Sequence, residues 1–308
     1  MIYTVTLNPA LDYDIYADKI ILSELNDVSN VKFRAGGKGI NVSIMLNNLG
    51  VRSIALGFLA GFTGEYILKD LNKQNILNDF IPIQGTTRIN VKLKTNSSET
   101  EIAGISPEIK EDSYNELIEK ISKLNKHDIL VLSGSIPKCL NQDVYEKISE
   151  KTCAKVVLDT RGDILLKNIH NNLLIKPNIK ELEQAFNKKI DDVDKVYEVC
   201  KVFFEKGVEN VLVSMGDRGA MLIKKGKLIR ANVPKGNMVN TIGAGDSTVA
   251  GFLSGYERNL SDIEILKLAV ACGSATAYSL GIGSSDLVNK LMENIECEEI
   301  RYESWKFI

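Results

Sequence analysis

Six short apolar runs punctuate the chain, at residues 2–7, 53–58, 129–132, 155–158, 172–175 and 210–213. Runs of this length with little alternation suit parallel strands covered on both faces. Between them the apolar positions change to helical spacing. Tyr114, Leu117, Ile118, Ile121 and Leu124 make one stripe, and Val193, Val196, Val199, Cys200, Phe203 and Phe204 a second. Val249, Phe252, Leu253 and Tyr256 make a third, each following the i, i+3, i+4, i+7 rule. Strands alternating with helices predict an α/β fold, a doubly wound and mostly parallel sheet flanked by helices.

Two stretches break the pattern. Residues 13–33 hold short extended pieces with little helical period. In residues 88–94, Ile89, Val91 and Leu93 alternate with Asn90, Lys92 and Lys94, and residues 100–103 can pair back across a polar turn at 96–98. Alternation suits a sheet with one wet face. These pieces read as a small inserted β-lid, with segments at about 12–34 and 87–104, on a single domain spanning residues 1–308. There is no internal repeat and no low-complexity linker.

Composition narrows the function classes. Hydrophobic residues make up 44% of the 308 positions and charged residues 25%, ordinary values for a chain that buries a large core. A net charge of −2 argues against nucleic acid or an anionic membrane as partner. No apolar run approaches the roughly 20 residues of a membrane span. The opening residues lack a basic stretch leading into a signal-like apolar run, and the five scattered cysteines form no CxxC pair. Both features lead to the expectation of a cytoplasmic protein with free thiols. With only His127 and His170, a histidine-rich metal site is excluded and a histidine base is disfavoured.

In an open α/β sheet, ligands sit beyond the carboxyl ends of the strands. Polar residues follow several predicted strands there: Asn8 and Asp12, Ser133-Gly134-Ser135, Lys176-Pro177-Asn178, and Ser214-Met215-Gly216. The sharpest signal is Asn240-Thr241-Ile242-Gly243-Ala244-Gly245-Asp246, a small-residue turn running into a helix. Glycines let backbone N–H groups approach an anion, and the helix start adds its positive dipole end. Such a pocket suits a transferring phosphoryl group, and a carboxylate beside it can accept a proton from an attacking hydroxyl. The plainer alternative is a glycine turn with Asp246 as a helix cap.

The other motifs carry the same two readings. Gly36-Gly37-Lys38-Gly39-Ile40-Asn41 opens a helix and offers close backbone approach, a cation and an amide, or is an ordinary glycine turn. It is not a Walker A loop. Asp12 suits a pair of sugar hydroxyls, or caps a turn after Pro9. Asp14 points the same way but ranks lower. Arg88, with Asn90 on its face, can read a phosphate, or is a solvated lid charge. Asn178 and Glu181 stand at a helix start, where they can face nucleotide phosphates and metal-bound water or form a variant capping box. Residues 214–219 can lie along a nucleotide, although such turns are common. No GxGxxG occurs, which counts against a nicotinamide dehydrogenase.

Together and in order, these motifs resemble the ribokinase-like carbohydrate kinases of the PfkB family over nearly the whole chain. The resemblance implies ATP-dependent phosphorylation of a ketose phosphate, with fructose 1-phosphate expected ahead of tagatose 6-phosphate. It implies Asp246 as proton acceptor, with the amides of Gly243, Ala244 and Gly245 as an anion hole. It further implies Asp12, Gly37, Lys38, Asn41, Arg88 and Asn90 on the sugar phosphate. Lys176, Asn178, Ser214, Gly216, Gly219, Thr241 and Gly245 would line ATP, and Glu181 would support Mg²⁺ through water. A homodimer joined through the lid is also expected. Two departures matter. Asn240 replaces the Asp that opens the last motif in many relatives, which weakens any monovalent-cation site. Ala103 stands where a polar residue is frequent. A non-catalytic sensor on the same fold is the rival, and the intact Gly-Ala-Gly-Asp argues against it.

Overall fold

The computed structural model describes residues 1–302. The chain opens with β1 (Ile2–Thr6), then enters β2 (Ala10–Tyr16) and β3 (Asn30–Gly36) before α1 (Lys38–Asn48). β4 (Ser53–Leu59), α2 (Gly61–Lys73), β5 (Leu77–Asn78) and β6 (Ile81–Pro82) lead into β7 (Ile89–Lys94) and β8 (Glu99–Ile102). Strand–helix alternation follows: α3 (Glu111–Ser122), β9 (Ile129–Ser133), α4 (Val144–Ser149), β10 (Lys155–Asp159), α5 (Gly162–Lys167), β11 (Asn172–Ile175), α6 (Ile179–Phe186), α7 (Val193–Glu205) and β12 (Asn210–Ser214). The last part holds β13 (Ala220–Lys224), β14 (Lys227–Ala231), α8 (Ala244–Glu257), α9 (Asp262–Ala277), α10 (Ser285–Met292) and β15 (Cys297–Arg301).

Eleven strands make the main sheet, in the order β15-β14-β13-β12-β11-β10-β9-β1-β4-β5, with β6 also on β4. From β5 to β12 the pairing is parallel; β13, β14 and β15 extend one edge antiparallel. The apolar runs are continuous because both faces are covered. In β9, Leu130 and Leu132 join the core under α3, α4 and α7, while Ile129 and Val131 join the core under α1, α8 and α9. Helix α8 is buried from Asp246 to Gly255 and is rich in small residues. At Gly251 a Cβ would lie 2.7 Å from Ala269 Cα, so α8 and α9 meet backbone to backbone.

The lid is a separate four-stranded sheet, β3-β2-β7-β8. β7 and β8 pair antiparallel, closed by Thr95 N–H donating to the Ser98 carbonyl, as the alternation predicts. The lid strands reach inward to Ala10 and Gly36, beyond the expected 12–34 segment. Asp12 therefore lies within β2 and not on a loop after β1. Register sorts the faces: Tyr13 sits opposite Phe33 and Val91, and Asp12 opposite Arg34 and Asn90. The Tyr13 and Phe33 rings stack at 4.4 Å on the apolar face. No helix among the described residues is long and apolar enough to cross a membrane.

Candidate active site

The carboxyl ends of β1, β9, β10, β11 and β12 converge with the starts of α1 and α8. Gly37 has φ 130°, in a region that side chains avoid, and this conformation turns β3 into α1. The start of α1 then rests against β1, where Thr6 Oγ1 accepts from the Ile40 N–H at 3.2 Å. This seat aims Asn41 across the gap, and its Nδ2 donates to Asp246 Oδ2 at 2.8 Å.

Gly243 caps α8 in the left-handed region (φ 79°, ψ −4°), which places Asp246 in the first helical turn. In the turn, the Ala244 N–H donates to the Thr241 carbonyl at 3.3 Å. The N–H groups of Gly243, Gly245 and Asp246 have no partner among the described residues. Of the three amides expected in an anion hole, those of Gly243 and Gly245 are free and that of Ala244 is occupied, while the Asp246 N–H is free as well. Asn240 Oδ1 accepts from the Ile242 N–H at 3.0 Å, so this amide stabilises the approach to the turn.

Two ammonium groups face this turn. Lys176 Nζ is so close that a Cβ on Gly245 would lie 3.1 Å from it. Lys176 and Lys38 share one oxygen, Asp159 Oδ1, at 3.3 and 3.0 Å. Asp159 is buried at the end of β10, and its Oδ2 has no partner among the described residues. Burial pushes the Asp159 carboxyl up, but Lys176 and Lys38 pull it further down, to below the ordinary range. Burial also lifts Asp246; Lys38 opposes and Asp159 adds to this, and its carboxyl ends above the ordinary range. The two carboxyls are thus shifted in opposite directions, Asp159 down beside its two lysines and Asp246 up by burial.

At the lid end, Asp12 accepts from Asn90 Nδ2 at 3.2 Å and pairs with Lys92 at 3.1 Å and Arg34 at 3.3 Å. Arg88 stands just before β7, and its Nη2 and Nε donate to the carbonyls of Asn8 and Pro9 at 2.9 and 3.3 Å. Burial lowers its pKa, with Asp12 opposing. Lys38 and Arg88, expected together on one phosphate, thus have separate partners, Asp159 and the Asn8–Pro9 backbone.

On the nucleotide side, Asn178 and Glu181 form a complete capping box at α6, each side chain accepting from the other's backbone N–H at 2.9 Å. The capping alternative is therefore present, and it leaves Glu181 Oε1 without a partner among the described residues. Asn178 bridges to Ser214, and the turn Gly216–Arg218 follows. Gly216 and Thr241 are exposed. Gly219 also has a packing reason, since a Cβ there would meet the Ala231 carbonyl.

Sequence reasoning missed Asp159, Arg34 and Lys92. Asp159 follows an apolar run at the same sheet edge as Ser133, Lys176 and Ser214, and that rule, applied to this strand, finds it. Lys92 shares the face of Asn90 by simple alternation.

Comparison with known proteins gives the family and the fold. The profile described as "pfkB family carbohydrate kinase" matches residues 6–288. The 1-phosphofructokinase of Bacillus subtilis is 45% identical over 300 residues, covering 96% of this chain and 99% of that protein. The 1-phosphofructokinase of Borreliella burgdorferi is 44% identical over 304 residues, covering 97% and 99%. Among solved structures, phosphofructokinase-2 from Escherichia coli in complex with substrates and products superposes with a TM-score of 0.90 at 26% identity, covering 95% of this chain and 98% of that one.

Proposed function

The chain belongs to the pfkB family of carbohydrate kinases, and on that premise we propose that it transfers the γ-phosphoryl group of ATP to fructose 1-phosphate, giving fructose 1,6-bisphosphate. The observation that carries the chemistry is Asp246: a buried carboxylate of raised pKa, beside three free amides and facing two lysines. The substrate rests on the two relatives that bear the 1-phosphofructokinase name over nearly their whole length.

In this reading Asp246 accepts the proton of the sugar hydroxyl as its oxygen attacks the γ-phosphorus. The bond from phosphorus to the β–γ bridging oxygen breaks, and ADP leaves. Negative charge on the transferring group is met by the Gly243, Gly245 and Asp246 N–H groups, a stabilisation that costs no rearrangement during reaction. Asn41 orients the base. Asp12, Gly37, Lys38, Asn41, Arg88 and Asn90 hold the ketose phosphate. Lys176, Asn178, Ser214, Gly216, Gly219 and Thr241 lie along ATP.

No group of three acidic, cysteine or histidine side chains capable of holding a metal occurs among the described residues. A divalent ion here suits one that arrives on the nucleotide and keeps most of its waters, as Mg²⁺ does. The free Glu181 Oε1 fits such a water-mediated contact. Bound Mg²⁺ would neutralise phosphate charge. The lid further supports a homodimer, since Val31, Phe33 and Ile102 leave apolar surface exposed on its outer strands.

Steady-state kcat/KM for fructose 1-phosphate, tagatose 6-phosphate and fructose 6-phosphate at equal Mg·ATP tests the substrate. Fructose 1-phosphate is expected to lead. A higher value for tagatose 6-phosphate refutes the named substrate and leaves the kinase chemistry standing.

A further inference from the structure

Two carboxylates, Asp12 and Asp14, are almost fully buried on the polar face of the lid, at 5% and 2% exposure. Burying a carboxylate is costly unless it is paired and hydrogen-bonded. Both find the same partner. Arg34, opposite Asp12 on β3, donates from Nε to Asp14 Oδ2 at 2.8 Å and from Nη2 to Asp14 Oδ1 at 3.4 Å. The same Nη2 reaches Asp12 Oδ2 at 3.3 Å. From the other flank, Lys92 holds that same Oδ2 at 3.1 Å and Asn90 holds Oδ1 at 3.2 Å. Behind the carboxyl group lies Gly36, where a Cβ would stand 2.7 Å from Asp12 Cγ. Asp12 is thus held in place from both flanks and from behind.

We propose that Asp14 and Arg34 are a positioning pair that fixes the orientation of the Asp12 carboxylate toward the hydroxyls of the ketose. The proposal rests on the sugar-phosphate reading given above. Its logic is one of rigidity. Lys92 is a point charge on a flexible stem, whereas the guanidinium is planar and is gripped at two nitrogens by Asp14. Asp14 therefore sets the plane of Arg34, and Arg34 sets Asp12 Oδ2. A carboxylate free to rotate still binds hydroxyls; a fixed one distinguishes their configuration. Asp14 acts wholly through Arg34, and neither residue reaches the reacting atoms.

A merely structural ion pair between β2 and β3 makes a different forecast. Losing it weakens folding and lowers the use of every ketose phosphate by a common factor. The test is steady-state kinetics of the full chain with fructose 1-phosphate and its C4 epimer tagatose 1-phosphate at saturating Mg·ATP, and with Mg·ATP varied at saturating fructose 1-phosphate. The variants are Asp14→Asn, Arg34→Met, the double variant and Arg34→Lys, each checked by thermal melting. Arg34→Met leaves Asp14 buried and unpaired, and the double variant removes that orphan charge. Arg34→Met is expected to raise KM for fructose 1-phosphate about tenfold and to shrink the preference between epimers, with KM for ATP far less affected. Asp14→Asn should act in the same direction, the double variant should be no worse than Arg34→Met, and Arg34→Lys should recover part of the loss. An unchanged epimer preference in folded variants, or effects of Asp14→Asn and Arg34→Met that multiply, overturns the proposal. A wild-type chain inactive on every ketose phosphate would instead overturn the functional reading beneath it.

Discussion

In the proposed mechanism Asp246 combines two properties that ordinarily conflict, being charged when it accepts the proton and buried throughout. Burial raises its carboxyl, so the folded chain binds that proton more tightly than the unfolded chain does. Stability from this group consequently declines as pH rises from the ordinary carboxylate range through the raised value. Asp246→Asn removes both the base and the penalty. Turnover should fall by about 10²–10⁴-fold, while the melting temperature at neutral pH rises above wild type and the advantage vanishes as pH is lowered below that interval. Turnover within a few-fold of wild type would sink the assignment. Wild-type kcat, for the same reason, should fall on acidification at a higher pH than an exposed carboxylate would give. Arg88 is tested apart from this chemistry. Among the described residues its guanidinium hydrogen-bonds the backbone carbonyls of Asn8 and Pro9 alone, so in the proposed sugar-phosphate role Arg88→Ala should chiefly raise KM for the sugar phosphate, on the order of 10–100-fold for a charge-assisted contact of roughly 1.5–3 kcal/mol. A raised KM for ATP with an unchanged sugar KM would reverse the roles. Residues at this scale were legible where a motif fixes local backbone, as Gly243 to Asp246 does. The strand-end rule reaches Asp159 as a position, but its pairing with Lys38, like that of Arg34 with Asp14, was not legible, because these partners lie 121 and 20 positions apart and no spacing rule links them.

Helices and strands obeyed their periodicity closely. β11 spans the residues its apolar run predicts, and most other predicted strands end within one residue of the observed bounds. The reason is that central strands bury both faces, so the apolar run and the strand coincide. The lid was less sharply bounded, because β2 and β3 bury a polar face through ion pairs, which hydrophobic patterning cannot register. Element ends also hide function behind structure, and α6 is the case in point. Asn178 and Glu181 complete a capping box, yet they are also the residues that the proposed function assigns to nucleotide and metal. Glu181→Gln separates the roles, since Gln at the third helical position sustains a capping box while removing the charge. The melting temperature should stay near wild type, and the Mg²⁺ concentration for half-maximal activity should rise several-fold. Glu181→Ala should add a stability loss of about 0.5–2 kcal/mol from the broken cap. An unchanged Mg²⁺ requirement in Glu181→Gln would leave Glu181 as a cap alone.

The whole molecule is asymmetric in how it covers its apolar surface. The main sheet is enclosed by helices on both faces, whereas the lid has one face over the cleft and another only partly covered by α2, through the Phe33–Tyr66 contact at 5.9 Å. Val31 and Phe33 are each 41% exposed and Ile102 is 58% exposed, on strands at opposite edges of a four-stranded sheet. A sheet this small is marginal when it stands alone, and apolar residues exposed along one of its faces suit an association site. A second copy of the chain, presenting the same face about a two-fold axis, would cover all three residues at once. Sedimentation equilibrium at micromolar concentration should therefore report a dimer. Phe33→Glu combined with Ile102→Glu should convert it to monomer, because each would place a charge in the covered face without touching Asp12, Arg34, Lys92 or Asn90 on the other. In the proposed dimer that cover holds the lid over the cleft, so the monomeric variant should lose affinity for the sugar phosphate more than for ATP. A wild-type monomer would remove the lid dimer and leave the kinase chemistry intact, since Asp246, Asn41, Lys38, Lys176 and Asp159 all come from one chain.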